Sequence, residues 1–204
     1  MDEIVIAAKN SVSSLIFLFH GYGADNSNLH SLGKCFSEAK PDAEIHIPNG
    51  MEFCSEGSGR MWFPLSGDMN HWGLELQKAA PEIMEYVDQV KDSRNLSYQD
   101  IIFSGFSQGA MISLTLGVYY NIKAVIGFSG VMLSPEVYLK PADTKVFITH
   151  GSQDDLLPSQ LTRINENILK TAGIKHVEAF ICPGIAHAIG MPQLERAIDF
   201  LKNL

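Results

Sequence analysis

Apolar residues fall along this chain in two patterns. The runs Ser14 to Phe19, Ile101 to Ser104, Ala124 to Phe128 and Lys145 to Thr149 are apolar without alternating, as strands buried on both faces must be. Shorter runs, Ile4 to Ala8, Glu44 to Ile47 and His176 to Ile181, predict three more strands. Elsewhere the spacing turns helical. Leu76, Ile83, Tyr86, Val87 and Val90 predict an amphipathic helix from Leu74 to about Val90, with Pro81 marking a kink or a start. Leu29 to Ala39 predicts another, capped by Asn26, Ser27 or Asn28 and ended by Pro41. Ala110 to Tyr120 is almost wholly apolar, as a helix buried against a sheet would be. Pro158 to Thr171, closed by Gly173, and Gly190 to Leu204 complete the set.

Strands alternating with helices predict an α/β architecture, a mainly parallel central sheet covered by helices on both faces. No repeat, low-complexity tract or linker divides the chain, so a single domain over 1–204 is expected. One stretch breaks the regularity. Asn49 to Gly73 carries glycines and Pro64 together with Met51, Phe53, Met61, Trp62, Phe63 and Leu65. A long irregular segment rich in large apolar side chains predicts a lid or binding loop.

Composition narrows the function classes. Fifteen basic against twenty-three acidic residues leave a net charge of −8, which argues against nucleic acid or an anionic membrane surface as partner. Cys35, Cys54 and Cys182 are too few and too scattered for a disulfide framework or a metal site, and predict a reducing compartment. The acidic start Met1-Asp2-Glu3 lacks the basic region of a signal peptide, and Leu15 to Phe19 is too short to span a bilayer. A cytoplasmic protein with no transmembrane segment is expected.

The chemistry concentrates at Gly105-Phe106-Ser107-Gln108-Gly109. A predicted strand leads in and a predicted helix leads out, the context of a G-x-S-x-G nucleophile elbow. The alternative is a turn whose serine merely caps the helix. A serine hydroxyl needs a base. His187 lies in a short loop after the last predicted strand, whereas His20 and His150 precede glycines at strand ends and suit turn support. His176 starts a strand at the far edge, and His30, His46 and His71 read as surface or helix histidines. The base needs an acid. Asp154 and Asp155, in the loop after Lys145 to Thr149, both qualify, and either could instead cap the following helix. The order Ser, Asp, His matches an α/β hydrolase. An oxyanion would be held by the Gln108 backbone N–H and, from the glycine loop after the second strand, by that of Tyr22. Such a site needs no metal or cofactor.

Leu18-Phe19-His20-Gly21-Tyr22-Gly23-Ala24-Asp25, Trp62-Phe63, the serine motif, His150-Gly151 with Asp154 and Pro158, and Gly184 with His187 together resemble the phospholipase/carboxylesterase family in its bacterial form. The family includes acyl-protein thioesterases, and the resemblance covers nearly the whole chain. It implies an α/β-hydrolase fold with the triad Ser107, Asp154 and His187, choosing Asp154 over Asp155. It also implies oxyanion amides at Tyr22 and Gln108, and an acyl groove flanked by Met61, Trp62 and Phe63. Ala110 replaces a glycine of many members, and Tyr22 a leucine of many eukaryotic ones.

The expected function is therefore a serine hydrolase of carboxylic esters, with thioesters and lysophospholipids as further candidates. Met51 to Leu65, with Leu156 or Ile185, would line the acyl site. Its substrate would be a small-molecule or lipid ester or an acylated protein. Exposed apolar loop residues would also suit a homodimer interface. A catalytically silent binding module, or a peptidase or lactonase on the same scaffold, is the alternative.

Overall fold

The structure, a computed structural model, describes residues 2–55, 57, 59–140 and 142–204. In chain order they form β1 (Glu3–Ile6), β2 (Ser14–Phe19), α1 (His30–Ala39), β3 (Ala43–Pro48), β4 (Glu52–Phe53), β5 (Arg60–Met61) and α2 (Met69–Ser93). Then come β6 (Ile101–Phe106), α3 (Gln108–Tyr119), β7 (Ala124–Phe128), α4 (Pro135–Tyr138), β8 (Lys145–Gly151), α5 (Gln160–Thr171), β9 (Val177–Cys182) and α6 (Met191–Lys202). The described residues make a seven-stranded sheet in the order β1-β3-β2-β6-β7-β8-β9. Only β1 runs antiparallel, against β3; β2, β3, β6, β7, β8 and β9 are parallel.

The unbroken apolar runs end up where both faces are covered. Every residue of β2 and β7 is buried. On one face Leu76, Ile83 and Val87 of α2, the apolar α3 and Leu169 of α5 pack over Phe17, Phe103 and Val125. On the other, Leu32 and Phe36 of α1 and Phe200 and Leu201 of α6 cover Ile16, Ile45 and Ile126. With this burial on two sides, chemistry is left to the loops beyond the carboxyl ends of the strands.

Several boundaries differ from expectation. The cap before the first helix is Asp25, whose carboxylate accepts the Ser27 amide of a 3₁₀ turn, Asn26–Leu29, that leads into α1. The irregular segment ends earlier than Gly73, because Asp68 caps α2 through the His71 amide. α2 neither starts nor stops at Pro81. The proline sits on the exposed side, where its missing N–H removes one helical hydrogen bond. His46 is a buried β3 residue rather than a surface one. Its ring nitrogens lie 2.8 Å from Glu3 and 3.0 Å from Glu44, and Arg94 closes on the same Glu44 at 2.9 and 3.1 Å.

Candidate active site

β6 ends at Phe106 and α3 starts at Gln108, so Ser107 alone makes the turn. Its backbone is left-handed, φ 54° and ψ −115°, and its amide bonds the Phe128 carbonyl at 2.9 Å. For a residue with a Cβ this is strained backbone. The hydroxyl makes no capping bond to α3, so the capping alternative has no support in the geometry. The flanking glycines are needed for space. A Cβ on Gly109 would stand 1.8 Å from the Phe19 carbonyl oxygen, and one on Gly105 would stand 2.4 Å from Gly109.

Across the sheet ends, the β8 and β9 loops are stitched together. Ser152 N–H donates to the Cys182 carbonyl and Gln153 N–H to that of Ile185, each at 2.8 Å, while the Ser152 hydroxyl accepts the Gly184 amide at 2.9 Å. This brings Asp154 Oδ2 to 2.7 Å from His187 Nδ1. The other oxygen, Oδ1, accepts the amides of Leu156 and Leu157 at 3.1 and 2.9 Å. Burial favours the neutral acid, but the Leu157 amide, His187 and the Leu156 amide outweigh it and hold the Asp154 carboxyl below its ordinary pKa. Asp155, one residue on, is exposed.

Ser107 and His187 line one pocket of about 310 Å³, and Asp154 bonds His187 from behind it. The Phe106 ring lies 4.7 Å from the imidazole. Tyr22 lies on the pocket wall, and a Cβ on Gly21 would be 3.3 Å from that of Ser107. Bonds from Gly23 N–H to the Arg60 carbonyl and from Arg60 N–H to the Ala24 carbonyl, 2.9 and 2.8 Å, hold this loop against β5. Gln108, at the first position of α3, is fully buried.

The remaining walls are Ala24, Leu65, Trp72, Met111, Leu156 and Leu157. Leu156 is therefore where the sequence expectation puts it. Met61, Trp62, Phe63 and Ile185 are not on this pocket. Trp62 and Phe63 are core residues, 1% and 2% exposed. Trp72, Met111 and Leu157 were not anticipated: Trp72 belongs to a helical turn that starts before its apolar periodicity is legible, and Met111 reads as core.

A model of the phospholipase/carboxylesterase family matches residues 1–204. The chain belongs to this family. It is 26% identical to Esterase YpfH of Escherichia coli, over 98% of this chain and 88% of that protein. It is also 26% identical to Acyl-protein thioesterase 1 of Debaryomyces hansenii, over 99% and 95%. The crystal structure of esterase PE8 superposes with a TM-score of 0.90 at 30% identity, covering 98% of this chain and 97% of that one. The Bacillus cereus carboxylesterase shares the fold, with a TM-score of 0.83 at 18% identity over 100% and 94%. The protein is an α/β hydrolase of the esterase and thioesterase kind. Among its described residues no helix is long and apolar enough to cross a membrane.

In this member of the family the other strand-end histidines are buried. His150 faces Thr162 Oγ1 at 2.6 Å and stands 4.0 Å from Asp154 Oδ2, and burial pushes its pKa down to about 4. His20 is also held below its ordinary value, chiefly by burial. His176 is exposed, beside Lys145 at the opposite ends of the strands.

Proposed function

We propose that this single-domain hydrolase cleaves carboxylic esters or thioesters through an acyl-enzyme formed on Ser107. The observation that carries this reading is the 2.7 Å bond between Asp154 and His187 at a pocket that also holds a strained serine at a strand-to-helix elbow. Asp154 accepts the Nδ1 proton of His187, which leaves the Nε2 lone pair for Ser107. The Ser107 oxygen attacks the acyl carbonyl while His187 takes its proton. The oxyanion is held by the amides of Tyr22 and Gln108, the latter helped by the positive end of α3. His187 then protonates the departing alcohol or thiol. Water, deprotonated by His187, repeats the attack on the acyl-enzyme and frees the acid.

The pocket wall is mostly apolar, so the acyl group enters it and the leaving group points to solvent. The names of the relatives suit an acyl ester of a small molecule or lipid, or an acylated protein. The free thiols of Cys35, Cys54 and Cys182 suit the reducing cytoplasm.

Ser107→Ala tests the mechanism. Hydrolysis of p-nitrophenyl butyrate should fall by about 10⁴-fold or more, and a fluorophosphonate probe should label the wild type but not the variant. Undiminished hydrolysis by the variant would overturn the nucleophile. A folded wild type that neither hydrolyses esters nor takes the probe would point to a silent binding module.

A further inference from the structure

We propose that His20 is a positioning residue, a neutral imidazole that sets the direction of the Tyr22 amide; this rests on Tyr22 and Ser107 having the roles given above. His20 follows the last residue of β2 and is fully buried. Its Nε2 lies 2.8 Å from the Gly50 amide nitrogen. An amide N–H only donates, so Nε2 carries its lone pair. Its Nδ1 lies 2.8 Å from the Gly21 carbonyl oxygen. A carbonyl only accepts, so the proton is on Nδ1. One neutral tautomer satisfies both contacts, whereas an imidazolium would set N–H against N–H at Gly50. The depressed pKa of His20 agrees in direction.

The Gly21 carbonyl and the Tyr22 N–H belong to one planar trans peptide and point opposite ways. Drawing the Gly21 oxygen toward the His20 ring therefore turns the Tyr22 N–H away from it. Gly21 abuts Ser107, and Tyr22 lines the same pocket. With glycines at 21 and 23 the backbone itself offers little resistance to a flipped peptide; the Gly21 carbonyl is held from within the loop by the Ala24 N–H, at 3.2 Å, and more closely by the His20 ring, at 2.8 Å.

The tether extends to the second amide. Trp62 Nε1 donates to the His20 carbonyl at 3.0 Å, and its ring sits 5.2 Å from the imidazole. The Trp62 amide donates to Gln108 Oε1 at 3.0 Å, and Gln108 Nε2 donates to the Phe63 carbonyl at 2.7 Å. Trp62 is thus a crossbeam between the segments bearing the two amides.

Two isosteres separate positioning from packing. His20→Asn keeps a donor near Nδ1 and loses the acceptor for Gly50. His20→Gln keeps an acceptor near Nε2 and loses the donor to Gly21. In ester hydrolysis His20→Gln should lose about 10–100-fold in kcat, a fraction of what deleting an oxyanion donor removes. Its KM should move less than about 3-fold, its fluorophosphonate labelling should slow in parallel, and His20→Asn should recover most of kcat. Equal kcat in the two variants, or losses that follow melting temperature, would overturn the inference. Should neither variant fold, nitrogen-15 NMR of the wild type decides. His20 with its proton on Nδ1 from pH 6 to 8 supports the inference, and a proton on Nε2 sinks it. Failure of Ser107→Ala to abolish activity would instead remove the catalytic reading beneath it.

Discussion

At the scale of single residues, Ser107 combines function with strain. A non-glycine residue in sparsely populated backbone space loses about 1–3 kcal/mol, and a glycine there loses only its extra unfolded-state entropy. Ser107→Gly should therefore raise the unfolding free energy by about 1 kcal/mol while hydrolysis falls to the Ser107→Ala level. A urea titration of wild type and variant measures this, and an unmoved or lowered midpoint would mean the elbow is relaxed. The strain was legible before any coordinates, because G-x-S-x-G between a strand and a helix demands it. The acid was not. Local pattern leaves Asp154 and Asp155 level, and the family resemblance alone prefers Asp154; the fold supplies the physical reason, turning its carboxylate under the β9 loop to His187 and leaving Asp155 exposed. The histidines divide in the same way. Motif context singled out His187, but nothing local revealed that His20, His46 and His150 are buried with partners.

At the scale of elements, the strands were the most legible part. Ala124 to Phe128 matches β7 end for end, because a run buried on both faces strongly favours apolar residues. The segment before α2 is the least legible. Its large apolar side chains suggested a binding loop, but Trp62 and Phe63 turn inward and are bolted to α3 by the Gln108 side chain. The serine motif implies a role for Gln108 through its backbone amide alone. Gln108→Met should strand the Trp62 N–H and the Phe63 carbonyl in the interior. At about 1–3 kcal/mol per buried unsatisfied group, with some relaxation, a loss of about 2–4 kcal/mol is expected. Equilibrium unfolding in urea with an unchanged m-value would display it. A loss below about 1 kcal/mol would mean that the two backbone groups find other partners.

At the scale of the whole molecule, the pocket is a product of topology. Its walls come from the β2 loop, the segment before α2, α2 itself, the elbow, α3 and the β8 and β9 loops. A volume of about 310 Å³ equals roughly ten water-sized volumes of ~30 Å³, enough for a medium-length acyl chain. Each methylene seated there adds up to about 0.8 kcal/mol, or about fourfold in kcat/KM. With p-nitrophenyl esters, kcat/KM should climb from acetyl to about octanoyl and fall by palmitoyl. A steady rise through palmitoyl would mean the groove continues past Met111, and a steep loss beyond butyryl would argue against lipid or palmitoyl substrates.

The sequence by itself determined the layered α/β architecture and the serine elbow. Burial periodicity and backbone sterics act over a few residues and leave a local trace. The tertiary structure alone decided how Asp154 is turned onto His187, that Trp62 braces the core, and that Trp72, Met111 and Leu157 wall the pocket. Each of these depends on side chains far apart in the chain reaching one place, and long-range proximity is set by packing rather than by any local pattern.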